Sequence, residues 1–255
     1  MRKIWITGAS SGIGKALAIK FANEGWKVAA SARRENLLKE LSDKHPNIHS
    51  FPLTKDGFRL IRNVKSGRKL AFVDGGNYEI VGAPNFSVQL NRIYAGVWSD
   101  NTKLSIDLPR IEFFSATFST FKNDKIYYET VIVPGMPEFD KYLPNTNDLS
   151  FDSFDRSIMS GNHRPDIDSV ASIARRFAEW EFASHIIESL NKGDVLVMDG
   201  TINTAFSGEE KYVKELETVS KNSGIILSGL SKTSALFTTT GLSLLGAVSK
   251  LAEDH

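Results

Sequence analysis

The chain has 255 residues, of which 41% are hydrophobic and 24% charged, and its formal net charge is +1. This composition fits one large or two small globular domains, and the near-neutral charge does not by itself call for a nucleic-acid partner. The sequence contains no cysteine, which excludes disulfides, thiolate metal sites and a cysteine nucleophile. Since no long apolar run suited to a membrane span occurs, we expect a cytoplasmic protein with no membrane partner.

The first fifty residues alternate between short strands and helices. An apolar strand at Lys3–Thr7 leads through a glycine-rich turn into a helix over Lys15–Glu24. A second strand at Trp26–Ala32 and a second helix at Arg34–Lys44 follow. This alternation predicts a partial Rossmann-like βαβ unit over residues 1–53.

After a junction at residues 54–65, the pattern changes to antiparallel strands. Four segments rich in Val, Ile, Phe and Tyr are predicted strands: Lys69–Asp74, Gln89–Trp98, Ile111–Phe121 and Lys125–Val133. The dipeptide Asn123-Asp124 predicts a hairpin turn between the last two.

The remainder of the chain predicts helices and strands in alternation, after an irregular connection rich in proline. The predicted elements are a helix at Asp166–Leu190, a strand at Asp194–Asp199, a helix at Gly208–Asn222, a strand at Gly224–Leu230 and a helix at Leu242–Ala252. An antiparallel meander followed by a helix and a strand that ends in Asp is the ribonuclease H-like order. We therefore predict the α/β class, with a ribonuclease H-like mixed sheet over residues 66–255.

The run Thr7–Gly14 follows a strand and opens a helix. Its glycines permit a tight turn and let a phosphate approach the backbone N–H groups at the helix N-terminus. The pattern TGxxxGIG resembles the short-chain dehydrogenase/reductase family, in which basic residues after the second strand, here Arg33 and Arg34, imply NADP. The cofactor-binding candidates are Gly8, Ser10, Gly12, Ile13, Gly14 and Arg33.

Beyond residue 53 the motifs of that family are missing. Position 54 is Thr rather than Asp, no Asn-Ala-Gly occurs, and no tyrosine has a lysine four residues further on. The general acid of a ketoreductase is therefore absent. We predict that the first unit is vestigial, and keep an NADP-dependent short-chain oxidoreductase as the alternative function.

Two predicted strands of the second part end in Asp followed by Gly. They place Asp74 and Asp199 at a sheet rim, where two carboxylates can hold Mg²⁺ or Mn²⁺, although Asp-Gly is also a common turn signal. The intervening helix offers Glu179 and Glu181, and a helical wheel places Glu181 on the apolar stripe.

The segments Val73–Gly76, Ala174–Trp180, Met198–Thr201 and Gly229–Ser234 resemble the NurA nuclease family in its archaeal form. The resemblance implies a Mn²⁺- or Mg²⁺-dependent nuclease that cleaves single- and double-stranded DNA as a homodimer. The resemblance also implies that the protein acts together with a HerA-like helicase in DNA end resection and repair. The residues that would do this are Asp74, Glu179 and Asp199 as metal ligands, with Glu181 and Lys232 as further catalytic candidates.

The family continues beyond the point where this sequence ends, so we expect a chain truncated at its C-terminus. That expectation leaves open a third function, a catalytically inactive module that binds DNA or the helicase.

Overall fold

The computed structural model describes residues 2–52, 62, 65–232, 234, 236–237 and 241–253. The chain divides into two compact units, Met1–Val64 with Thr233–His255, and Lys65–Lys232. In the described part of the chain, no helix is long and apolar enough to cross a membrane. Each unit combines strands and helices, which confirms the α/β class predicted from the sequence.

The first unit contains a parallel sheet of three strands. Its elements in chain order are β1 (Lys3–Thr7), α1 (Gly12–Asn23), β2 (Lys27–Ala32), α2 (Glu35–Lys44) and β3 (Ile48–Pro52), with α6 (Leu244–Glu253) near the C-terminus. The strand order is β1-β2-β3, and both pairs are parallel. The sequence predicted only two strands here, because β3 is short, ends in proline and carries the polar residues His49 and Ser50.

The two faces of this sheet differ in burial. Ile6, Val28 and Ala30 pack with α1 and α2 into a small core. On the opposite face Trp5 is 64% exposed and Phe51 is 55% exposed. A complete doubly wound sheet carries helices on both of its faces. In this unit α1 and α2 cover one face, which gives two of the three layers of such a fold.

The second unit is built on a larger mixed sheet. Its strands are β4 (Lys69–Ala83), β5 (Phe86–Ser99), β6 (Thr102–Leu104), β7 (Arg110–Lys122), β8 (Lys125–Pro134), β9 (Ser150–Asp152), β10 (Val195–Asp199) and β11 (Ile226–Leu230). The strand order is β11-β10-β4-β5-β7-β8-β9, with β6 paired to β5. Strands β4, β5, β7 and β8 are antiparallel neighbours, whereas β10 runs parallel to both β4 and β11.

Helices cover one face of this sheet. They are α3 (Ile167–Ala171), α4 (Ile173–Ile186) and α5 (Glu209–Ser223), accompanied by short 3-10 helices at Pro137–Tyr142, Thr146–Leu149 and Ile187–Ser189. Helix α4 contacts β4 and β5 on one side and α5 on the other. The predicted single helix over Asp166–Leu190 is wrong, because the helix is interrupted at Ser172, whose hydroxyl donates to the carbonyl oxygen of Ser169 (2.7 Å).

The hairpin predicted at Asn123-Asp124 is confirmed, since both residues have a positive φ (51° and 59°) and connect β7 to β8. The predicted end of β4 at Asp74 is wrong. The strand continues to Ala83, because Gly75 and Gly76 pair with Ile93 and Arg92 of β5, and the register shifts only further on, between Glu79 and Val81.

Candidate functional site

The glycine-rich turn between β1 and α1 has the backbone that its sequence predicts. Gly8 (φ 69°) and Gly12 (φ 57°) both lie in the left-handed region, which glycine enters without steric cost. The backbone N–H of Ala9 donates to the carbonyl oxygen of Ser31 (3.2 Å), which fixes the turn to the end of β2. The turn is therefore held by the neighbouring strand before any ligand arrives.

Gly14 is the position where α1 approaches this turn most closely. A Cβ atom added to Gly14 would lie 2.6 Å from the carbonyl oxygen of Gly8, which is main chain and cannot move away cheaply. Any other residue at position 14 would push the helix away from the turn. The glycine pattern thus has a steric cause in this chain.

The N-terminus of α1 has no side-chain cap. Ser11 is the N-cap residue, its hydroxyl makes no capping hydrogen bond, and the first turn contains no acidic residue. The first backbone N–H groups of a helix have no partner within it and carry the positive end of the helix dipole. Ile13 at this end is 77% exposed, so the end of the helix is open to an anion.

The side chain of Arg34 lies across the same turn. Its Nε donates to the hydroxyl of Ser10 (3.3 Å), and its Nη2 donates to the hydroxyl of Ser11. Arg33 and Arg34 are both exposed, and neither forms an ion pair within the described residues. Two serine hydroxyls therefore hold a guanidinium group beside the open end of α1, and no carboxylate of the described chain neutralises it.

The sequence prediction included Arg33 among the cofactor-binding residues, but Arg34 makes the contacts. In the sequence pattern, Arg34 stands beside Arg33 as a basic residue after the second strand. Its bonds to Ser10 and Ser11 join residues 24 and 23 positions apart, so only the fold could show which arginine turns inward.

The other predicted site, in the second unit, does bring distant acidic residues together. Lys232 Nζ lies 3.0 Å from Asp199 Oδ2 and 3.9 Å from Asp74 Oδ2, so one ammonium group links β4 to the end of β10. Both carboxylates raise the pKa of Lys232, mainly through its hydrogen bond to Asp199.

Glu179 is close enough to this pair of aspartates for both carboxylates to raise its pKa. It pairs with Arg175, whose Nη1 also donates to the carbonyl oxygen of Gly75 (3.0 Å). Burial raises the pKa of Glu179 to about 7; Arg175 opposes this rise and Asp74 adds to it. A Cβ atom on Gly75 would overlap the ends of the Glu179 and Ile93 side chains, so both would have to move if Gly75 were replaced.

Glu181 does not join the group. Burial and the nearby carboxylate of Glu215 raise its pKa, while Lys211 lowers it, so it faces α5 rather than the aspartates. The helical wheel failed because α4 is covered on two sides, which makes Glu179 and Trp180 buried residues as well.

Within the described residues, no three His, Asp or Glu side chains are grouped so that they could hold a metal ion. The positive charges of Lys232 and Arg175 already balance the three acids Asp74, Glu179 and Asp199 in part. The metal-ligand and catalytic roles assigned to these residues stay predictions.

Comparison with known proteins adds a family for the N-terminal part of the chain. The family model for short chain dehydrogenases matches residues 2–56. A glucose 1-dehydrogenase from Gluconobacter oxydans is 45% identical over 47 residues, which is 18% of this chain and 18% of that protein. The chain therefore matches less than a fifth of the length of this relative.

Solved structures of a short-chain dehydrogenase and of a reductase align with nearly the whole chain but superpose poorly on it. A short-chain dehydrogenase from Streptomyces avermitilis is 12% identical, with 99% of this chain and 78% of that chain covered and a TM-score of 0.20. A 3-ketoacyl-ACP reductase from Sinorhizobium meliloti gives 12% identity, coverages of 96% and 78%, and the same TM-score.

These comparisons correct the function predicted from the sequence. The prediction of a metal-dependent nuclease in DNA repair is wrong, because the family model and the relative that match are those of dehydrogenases. The resemblance of residues 1–53 to the short-chain dehydrogenase/reductase family is confirmed for that segment.

Proposed function

We propose that this chain binds NADP(H) through its first unit, as a protein of the short-chain oxidoreductase type. The observation that carries the proposal is the guanidinium group of Arg34, held by Ser10 and Ser11 beside the uncapped N-terminus of α1. Such a helix end favours a pyrophosphate, and an arginine beyond the second strand favours a ribose 2′-phosphate.

The residues present fit the adenosine half of the dinucleotide. Gly8, Gly12 and Gly14 leave the turn free of side chains, so that a phosphate can reach the backbone N–H groups. The end of β2 carries Ala32 and Arg33 rather than the Asp or Glu that binds an unphosphorylated ribose. NADP(H) is therefore the dinucleotide that these residues favour over NAD(H).

The bound cofactor would supply a hydride to a carbonyl carbon, or accept one from an alcohol. The proton that accompanies the hydride needs a donor beside the substrate. Because the sequence has no tyrosine followed by lysine four residues on, this chain does not supply the donor in that form. Binding and turnover are accordingly tested as separate properties.

The proposal is tested by titrating the full chain with NADPH and with NADH, followed by the fluorescence of the reduced nicotinamide. We expect NADPH to bind more tightly. Loss of one hydrogen-bonded charge contact costs about 1.5–3 kcal/mol, so Arg34→Ser should weaken NADPH binding roughly ten- to hundredfold and leave NADH binding unchanged.

The matched control is Lys39→Ser, which removes an exposed positive charge from the same unit at a position on α2. It should leave both affinities unchanged. Equal affinity of the wild-type chain for NADPH and NADH, or equal losses in the two variants, would refute the assignment. Oxidation of NADPH in the presence of small aldehydes and ketones then measures turnover.

For the second unit we propose the ribonuclease H-like arrangement as a description of fold alone. Its support is the meander β4-β5-β7, followed along the chain by α4 and then by β10 parallel to β4. DNA, a HerA-like helicase and the inactive binding module remain predictions, and no contact among the described residues bears on them.

A further inference from the structure

Four strands of the second unit show, over part of their length, an inverted alternation of polar and apolar residues. We call the face of β4, β5, β7 and β8 that turns away from α3 and α4 the outer face. Polar side chains point instead to the helix side, where all are buried: Ser87, Gln89, Asn91, Ser115, Thr117 and Thr130. An antiparallel sheet with one face in water normally shows the reverse pattern.

The buried polar residues are largely satisfied by hydrogen bonds. Asn91 Nδ2 donates to the Ser115 hydroxyl (2.8 Å), and the hydroxyls of Thr117 and Thr130 lie 2.8 Å apart. Gln89 Nε2 donates to the carbonyl oxygen of Asp168 in α3 (3.0 Å). The polar residues are therefore part of the packing on the helix side, and the apolar residues next to them in these parts of the strands lie on the outer face, whereas Ile93, Ile111 and Phe113 belong to the buried core.

Those apolar residues form continuous rows across the sheet. The strand register aligns Tyr78, Leu90, Phe114 and Val133 in one row. The next row consists of Val81, Val88, Ala116 and Val131, and Phe86 pairs with Phe118 beyond it.

This patch is open to solvent. Tyr78 is 75% exposed, Val133 54%, Val131 50% and Phe114 41%. A contiguous apolar patch of this extent on a folded unit marks an interaction surface.

We propose that the outer face packs against the outer face of a second copy of this chain. The charged residues at the two ends of the outer face support a second copy of the chain as the partner. At one end, Arg92 Nε lies 2.7 Å and Arg110 Nε 3.9 Å from the same Glu112 carboxylate, which leaves one positive charge in excess. At the other end, Glu129 is exposed and forms no ion pair within the described residues.

A two-fold axis that lies across the strands near Phe114 brings these ends together. The register places Arg110 opposite Tyr94 and Glu129 opposite Phe118, on either side of the row that contains Phe114. The axis therefore places Arg110 of one copy near Glu129 of the other. By symmetry the dimer contains two such Arg110–Glu129 contacts. A surface that complements itself in charge as well as in apolar character is what an isologous dimer requires.

The area is also adequate for a stable dimer. Strand β7 has 13 residues, which corresponds to about 43 Å, and four strands span about 19 Å. The outer face therefore offers roughly 800 Å² per copy, which is the contribution of each partner to an interface of ordinary size. Two sheets that pack face to face at about 10 Å form the same contact inside β-sandwiches.

Sedimentation velocity of the full chain, from low to high micromolar concentration, tests the proposal. We expect the wild-type chain to dimerise and Phe114→Lys to raise the dimer dissociation constant at least about a hundredfold, since it charges the centre of the interface. The matched control is Phe121→Lys, near the end of β7, where the ring is 74% exposed and lies outside the rows. That variant should dimerise like the wild type.

Charge reversal tests the two-fold arrangement itself. Arg110→Glu and Glu129→Arg should each weaken the dimer, and the double variant should recover most of the loss, because the pair is then restored with its signs exchanged. Losses that simply add in the double variant would overturn the proposed axis.

Three results would overturn the proposal as a whole. They are a wild-type chain that stays monomeric throughout, a Phe114→Lys variant that dimerises normally, and an outer face that becomes protected from hydrogen exchange only when another protein or DNA is added. Should Phe114→Lys fail to fold, Phe114→Thr keeps a strand-forming residue and repeats the test. Dimerisation is independent of NADP(H) binding, so the outcomes of the two proposals are separable.

Discussion

Glu209 is a buried charge of the second unit, and we expect its removal to destabilise that unit. The side chain is fully buried at the start of α5. One carboxylate oxygen accepts from Arg176 Nε and from Trp180 Nε1 (2.7 Å). The other accepts from two backbone N–H groups, those of Ala205 and Phe206 (3.0 Å). A single carboxylate thus joins α4 to the loop that precedes α5.

The substitution Glu209→Gln keeps the shape of this side chain and removes its charge. An amide has only one acceptor oxygen, so its NH₂ group must face two of the four donors, and Arg176 loses its charge partner. Breaking a buried ion pair from one side costs about 3–5 kcal/mol. For a unit of this size, such a loss lowers the melting temperature by on the order of 10 °C.

The measurement is urea unfolding of the full chain, followed by circular dichroism and by tryptophan fluorescence, with Trp180 as the local reporter. Glu210→Gln is the matched control, because its exposed side chain pairs with Lys214 on the same helix face, and it should unfold like the wild type. A Glu209→Gln variant that lost less than about 1 kcal/mol would show that the four donors find other partners, and would contradict the dependence on this carboxylate.

Three further predictions concern pH, a tyrosine and the glycine-rich turn. Burial raises the pKa of Glu179 from 4.5 to about 7. The stability that the protonated side chain contributes is therefore complete below about pH 4.5 and is lost as the pH rises to about 7. Over this window the free energy of unfolding should fall by about 3 kcal/mol. Glu179→Gln should flatten the pH dependence of urea unfolding across this window, and identical profiles for variant and wild type would contradict the assignment. Tyr212→Phe removes the hydroxyl that donates to Asp148 (2.6 Å), and should cost about 1–2 kcal/mol in the same unfolding assay. Gly14→Ala places a Cβ against Gly8 and should abolish NADPH binding while the chain remains folded, which circular dichroism and titration together check; undiminished binding would contradict the steric argument.

In the first unit, the sequence predicts the local structure but not the contacts between residues distant along the chain. The strand, turn and helix around Gly8, Gly12 and Gly14 were predictable, because each glycine answers a local steric demand that leaves a mark in the sequence. The contact of Arg34 with Ser10 and Ser11 was not, since it depends on how β2 lies beside β1.

The second unit shows where local patterns mislead. Asp74-Gly75 has the composition of a turn, yet β4 runs on beyond Asp74 as far as Ala83. The reason is tertiary, because Gly75 and Gly76 pair with Ile93 and Arg92 of the neighbouring strand β5. In the same way, the choice between Glu179 and Glu181 depended on the two-sided covering of α4, which no single helical wheel represents.

The function predicted from the second unit failed for a related reason. Acidic residues of β4 and β10 do come together, as their positions suggested, but Lys232 and Arg175 share that space. The family model that matches falls instead on residues 2–56, where the sequence resembled a dehydrogenase.

We have proposed that Arg34 and the open end of α1 bind the phosphorylated adenosine half of NADP(H). Isothermal titration of the full chain with 2′,5′-ADP and, separately, with nicotinamide mononucleotide measures this binding. We predict that 2′,5′-ADP binds, that Arg34→Ser weakens this binding, and that nicotinamide mononucleotide alone does not bind. Absence of 2′,5′-ADP binding by the folded wild-type chain would contradict the claim.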